Sequence, residues 1–193
     1  MLDAVYPWGR PLRPGLSTQF SACVASEPWQ IEGYWRLRAA IFAEEQGLFE
    51  CSDEDVHDAG AVPIVAESFS VGMPERVVGV VRIFETELGT WYGGRLGVER
   101  DYRRHGAIGT ALITQAVRTA HALGCTRFLA TVQQQNARYF ERHRFQSLSP
   151  IEILGRPHVL MQADLGSYPP ALLTAEAIRS ACGATRRTAR EVA

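Results

Sequence analysis

The sequence predicts an α/β fold of the α+β type, with antiparallel hairpins built around one strand–turn–helix unit. Three observations carry this. Two β-rich runs, 62–70 (VPIVAESFS) and 76–86 (RVVGVVRIFET), flank a Gly-Met-Pro segment, the mark of a hairpin. A third apolar run, 91–98, feeds a basic, glycine-containing turn and then a helical pattern. A later strand and short helix are followed by a second hairpin around Gly155-Arg156. The 193 residues are 46% hydrophobic and 21% charged, which suits one globular domain with a full core.

Residues 1–16 hold three prolines and two glycines and read as an extended lead-in. Residues 17–25 form a first strand, with Phe20 and Val24 as its larger apolar members. Ser26 is the expected N-cap of a helix that runs to about Gln46, where Gly47 closes it. Tyr34, Leu37, Arg38, Ile41 and Phe42 share one face of that helix. The acidic loop 49–58 follows. It lacks the glycine and closing glutamate of a calcium loop and reads as a solvated or substrate-facing lip, with His57 a minor candidate base or ligand.

After the first hairpin, residues 87–90 turn the chain into the strand 91–98. The turn Arg103–Gly109 precedes a helix expected from Thr110, with Ile108, Leu112, Ala116, Val117, Ala120 and Leu123 on its apolar face and Gly124 at its end. Residues 125–132 are a buried-type strand, 133–136 a polar link and 137–145 a short helix. The closing hairpin pairs 147–154 with 157–165. Beyond Pro169-Pro170, a helix at about 174–182 and an arginine-bearing tail complete the chain, so that 166–193 stands apart from a domain at 17–165.

Net charge is −1, so bulk attraction to nucleic acid or a membrane is not implied. The four cysteines are scattered, which argues against a zinc site or a disulfide framework and favours the reducing cytoplasm. No metal is expected. A strand entering a glycine-bearing turn at a helix N-terminus gathers backbone N–H groups and partial positive charge at one point, which suits a phosphate. No Lys-Ser/Thr follows the glycines, and the dinucleotide spacing G-x-G-x-x-G is absent, so two other phosphate loops are excluded.

Arg104, His105, Gly106, Ala107, Ile108 and Gly109 fill the pattern Q/R-x-x-G-x-G/A, which resembles the acetyl-CoA pyrophosphate loop of the GNAT acyltransferases. Ala107 stands where the first of that loop's closing glycines is usual. RLRAAIFAEEQGLFE is similar to the first helix of GNAT proteins with an F-x-x-E-Q signature, and NARYFERHRF to the N-x-x-x-Y-x-x-x-G-F end motif. In the latter, Phe140 replaces the tyrosine and Arg144 the glycine. The whole, including GRPHVLMQADL and the following YPP, looks closest to a GNAT-like group associated with nitrogen-starvation and nitrile-utilisation clusters.

The resemblance implies a central mixed, mostly antiparallel sheet flanked by helices, and an acyl-CoA donor, acetyl-CoA first. It places the pyrophosphate on Arg103, Arg104, His105, Gly106, Ala107, Ile108, Gly109 and Thr110, and the pantetheine along Leu96, Gly97 and Val98. Asn136 and Phe140 would hold the cofactor arm, and the Val98 N–H would polarise the thioester carbonyl. Base candidates are Glu85 and Glu87, with Glu45 and Glu99 behind them; proton donors are Tyr92 and Tyr139. The acceptor is expected to be a small amine or amino-acid-like metabolite, and the acidic loop suggests a cationic one. A GNAT protein that binds acyl-CoA without turnover, as a sensor or assembly subunit, is the alternative. The terminal helix could serve a homodimer contact.

Overall fold

The computed structural model describes residues 19–45, 52–104, 106–153 and 155–172. The expected lead-in, Gly47 and the C-terminal helix lie outside them. Seven strands form one sheet in the order β1-β2-β3-β4-β5-β7-β6. These are β1 Gln19–Val24, β2 Val62–Ser70, β3 Met73–Glu87, β4 Thr90–Val98, β5 Arg127–Gln133, β6 Phe145–Ile153 and β7 Arg156–Ala163. Only β4 and β5 are parallel; every other neighbouring pair is antiparallel. This is the mixed, mostly antiparallel sheet expected.

Helix α2 (Gly106–Ala122) is the crossover that parallel pairing of β4 and β5 requires. Its apolar face (Ile108, Leu112, Ala116, Val117, Ala120) packs with Val62, Ile64, Val78, Ile83, Trp91 and Phe128 on one side of the sheet. The other side is covered by α1 (Pro28–Arg38), whose Ile31, Tyr34 and Leu37 meet Val65, Val77 and Val80. With both faces covered, β2 and the centre of β3 read as nearly unbroken apolar runs.

Several boundaries differ from expectation, among them the short helix, which ends at Arg142 with Phe145 already in β6; four others have a clear local reason. The N-cap of α1 is Glu27, not Ser26: the Gln30 carboxamide oxygen accepts from both the Ser26 and Glu27 N–H groups, at 2.7 and 2.8 Å, and fixes the entry one residue later. The first helix does not run on as one α-helix. A π-helical segment, Ala39–Glu45, follows Arg38, turning Ile41 and Phe42 inward. The first hairpin turns at Val71 and Gly72, with φ of 51° and 78°, and Met73 and Pro74 already lie in β3. Two successive positive φ angles match strand twist better than the Gly-Met-Pro segment does. Finally, α2 begins at Gly106, four residues before Thr110, because the buried Ile108 is drawn into the core.

Helix α3 (Ala137–Arg142) leads into β6. Arg144, between them, has φ of 59°, the left-handed conformation that explains why glycine suits this place in the resembled motif. After β7 the Tyr168-Pro169-Pro170 segment folds back on α2. His121 Nδ1 lies 2.7 Å from the Tyr168 carbonyl, and Arg118 Nε donates to the Pro169 carbonyl at 3.0 Å.

Candidate active site

Strands β4 and β5 pair only from Thr90↔Arg127 to Gly93↔Ala130. Beyond that point both continue, β4 to Val98 and β5 to Gln133, without pairing to one another. The split opens a cavity of about 520 Å³ that passes from the α2 side of the sheet to the α1 side. Ile113, Val117, Phe128 and Phe140 line it on the first side, and Phe42, Asp55, His57, Phe84 and Tyr92 on the second.

The split coincides with a bulge. Val80 pairs with Gly97 and Arg82 with Gly94, so β4 carries one residue more than β3 over this stretch. Arg95 takes up the extra length with φ of 54°. The Glu99 N–H donates to the Val78 carbonyl at 2.9 Å. Antiparallel alternation then turns the N–H and C=O of Val98 away from β3, toward the open side. Arg103 Nε donates to that carbonyl at 2.8 Å, leaving the N–H facing the cleft. Gly97 is placed otherwise than its neighbours: a Cβ there would come within 2.8 Å of Ile41 Cδ1, so its bare α-carbon accommodates the π-helical segment.

At the start of α2, the N–H groups of Gly106, Ala107 and Ile108 have no acceptor one turn back within the helix. Ala107 is helical, with negative φ, so its methyl group costs no strain here. Gly109 admits Tyr139, whose hydroxyl would lie 2.6 Å from an added Cβ and donates to the Gly106 carbonyl at 3.4 Å. The Thr110 hydroxyl donates to that same carbonyl at 3.0 Å. Arg103 forms a two-pronged pair with Glu45, whereas Arg104 is exposed and makes no ion pair among the described residues. His105 lies outside the described residues.

The acidic loop is a lip that is only partly solvated: Asp55 and His57 face the cavity, but Asp53 and Asp58 are turned inward onto arginines, and this is the main correction. Arg38, fully buried, binds Asp53 at 2.8 Å and Asp58 at 2.6 Å. Arg82, 3% exposed, pairs with Asp55 and with Asp58. Arg95, turned by the bulge, reaches Asp53 at 3.0 Å and Asp55 at 3.3 Å. Three arginines thus neutralise three aspartates. Burial works to raise Asp55, but hydrogen bonds and charge from Arg82 outweigh it and hold the carboxyl at about 2. Asp58 is lowered in the same way, against its burial, by Arg38 and Arg82. This removes the electrostatic ground for a cationic acceptor. Arg38, Arg82 and Arg95 were missed because nothing in their spacing marks them; the only signal was an arginine on an apolar helix face.

The catalytic candidates are scattered. Tyr92 lines the cavity and stacks on Phe84 at 6.0 Å between ring centroids; His57 stacks on the same ring at 4.4 Å. Glu85 and Glu87 are exposed at the far end of the β3–β4 hairpin and do not line the cavity; Glu85 accepts from the Gly89 N–H at 2.8 Å. Glu45 is held below its ordinary value, chiefly by its hydrogen bonds to Arg103. Glu99 faces Arg76 at 3.2 Å, and burial raises it. Tyr139 packs over the start of α2, outside the cavity lining. Asn136 and Phe140 do line the cavity, Phe140 edge-on to Phe145 at 5.2 Å. Among the described residues no group of three His, Cys, Asp or Glu side chains is placed to share a metal, and no helix is long and apolar enough to cross a membrane.

A sheet split beside a helix N-terminus is thus the arrangement that organises the site. Residues 16–145 match the acetyltransferase (GNAT) family, and the chain belongs to it. Among solved structures it resembles a candidate N-acetyltransferase from Lactobacillus plantarum, with 24% identity and a TM-score of 0.67 over 76% of this chain and 98% of that one. It also resembles Escherichia coli ElaA, with 19% identity and a TM-score of 0.61 over 76% and 99%. An acyl-CoA N-acyltransferase from Pseudomonas aeruginosa matches with 16% identity and a TM-score of 0.57 over 75% and 98%. At these identities the likenesses establish the fold alone. No curated protein matches the chain.

Proposed function

We propose that the chain is an N-acyltransferase that moves an acetyl group from acetyl-CoA to a small amine or amino-acid-like metabolite, directly, with both substrates bound. The observation that carries this reading is the split between β4 and β5. It leaves the Val98 N–H turned away from β3 on the open side of the split, and the cavity there runs from Ile113, Ala116 and Val117 of α2 to an aromatic, polar chamber on the opposite face. A pantetheine arm fits that split as an added strand does. Gly106, Ala107 and Ile108 offer their N–H groups to the pyrophosphate, with the exposed Arg104 beside them. Residues 17–165 form the acyltransferase domain in this reading.

The donor supplies an activated carbonyl and a thiolate leaving group. The protein supplies placement: the Val98 N–H against the carbonyl oxygen, Phe140 and Asn136 against the arm, and Tyr92 as proton donor on the acceptor face. The likeness to a nitrogen-starvation group directs the acceptor search to amines of nitrogen metabolism, in the cytoplasm. Asp55, His57 and Tyr92 project polar groups into an open chamber, which supports turnover over a silent binding role.

Calorimetry with acetyl-CoA tests the reading. Micromolar binding by the wild type, weakened at least tenfold in Arg104→Glu, is expected. A folded wild type that does not bind acetyl-CoA overturns it.

A further inference from the structure

The GRPHVLM segment enters the site through His158. On β7, Val159, Met161 and Ala163 point into the core beneath α2, so alternation places the His158 side chain on the opposite face of the sheet, the face of Tyr92 and His57. His158 pairs with Gln133 of β5. Continuing the β4–β5 register beyond Gly93↔Ala130 brings Gln133 level with the β4 bulge at Arg95 and Leu96. The imidazole therefore lines the cavity across the split from the strand that would carry the thioester.

Its tautomer is set locally. His158 Nδ1 lies 2.8 Å from the Arg156 carbonyl oxygen, which can only accept, so Nδ1 carries the hydrogen and the neutral ring keeps a lone pair on Nε2. Nε2 has no hydrogen-bond partner among the described residues. The carboxylates do not compete: Asp55 is fully ionised and bound to arginines, while Glu45, Glu85, Glu87 and Glu99 lie outside the cavity lining.

We propose that His158 is the general base of the transfer, an assignment that rests on the acyltransferase reading above. As the amine nitrogen forms its bond to the thioester carbonyl carbon, Nε2 takes the amine proton. The C–S bond breaks, its electron pair leaves on sulfur, and the thiolate takes a proton from Tyr92 or water. The imidazolium then returns its proton to solvent, from which Tyr92 regains the one it gave. The charged and titratable groups around the ring are Arg156 of its own strand and, across the cavity, Asp55, Arg82, Arg95, His57 and Tyr92; at this level β6 presents Ile151 and Ile153, and β5 presents Gln133.

The test measures CoA release from acetyl-CoA with a panel of amino acids, spermidine and alkylamines, as a function of pH, for wild type, His158→Gln and His57→Gln. The expected result is a ~10²–10⁴-fold fall in kcat/KM for His158→Gln. Its acetyl-CoA affinity, read by calorimetry, stays unchanged. The acidic limb of the pH profile, kept by wild type and His57→Gln, disappears in His158→Gln, and exogenous imidazole partly restores His158→Ala. A limb that persists in His158→Gln, or is lost in His57→Gln instead, overturns the assignment. Acetyl-CoA binding by the wild type without transfer to any amine overturns it too, while failure of that binding sinks the broader reading first.

Discussion

Three non-glycine residues, Val71, Arg95 and Arg144, adopt positive φ, and their circumstances differ. Arg95 is held there by the aspartates it binds, and its bulge shapes the site. Val71 has no such support: it is fully exposed at a two-residue turn, and its branched side chain is the least suited to this conformation. Val71→Asn is expected to stabilise the protein by about 1 kcal/mol, seen as a rise of roughly 2–4 °C in Tm. An unchanged or lower melting temperature would count against the turn as described. At this scale the sequence was only partly informative. Phe140 and Asn136 line the cavity, whereas Glu85 and Tyr139 do not, because a side chain's direction depends on strand register and helix phase.

Among elements, the π-helical segment does work that an unbroken α-helix would not. It sets Ile41 and Phe42 on the bare α-carbon of Gly97, sends Phe42 into the cavity and brings Glu45 to Arg103. Gly97→Ala places a methyl 2.8 Å from Ile41 Cδ1 and 3.4 Å from Phe42 Cζ. A loss of about 1–3 kcal/mol in chemical denaturation is expected. Ile41→Val should absorb part of it, so that the double variant loses less than the sum of the singles. Additive losses would show that the segment does not press on Gly97. The strands and α2 were legible from their periodicity, since both depend on local alternation of apolar residues. The π-helical segment was not, because its seven residues carry the same apolar spacing as the helix before it.

The whole molecule is tied together by the arginine–aspartate cluster, which joins α1, β3 and β4 to the loop 52–58. Asp55 is held at about 2, below its ordinary 3.8, so its contribution is fully present above about pH 4 and is lost as pH falls through about 2. Asp58 is shifted in the same direction. Acid titration of wild type should therefore show stability declining from about pH 4 downward. Asp55→Asn is expected to be less stable at neutral pH and to show a shallower decline. An identical acid profile would place the cluster's importance elsewhere.

By itself the sequence determined the order of elements, the hairpins, the glycine-bearing turn before α2 and the family resemblance, because each rests on residues near one another in the chain. Only the tertiary structure decided which charges are neutralised, since Arg38, Arg82 and Arg95 meet aspartates 15 to 42 residues away. It also decided which polar groups share the cavity. His158 reaches it only because the sheet order places β7 beside β5 and the bulge parts β4 from β5. Long-range register, set by the packing of the whole core, has no local signature.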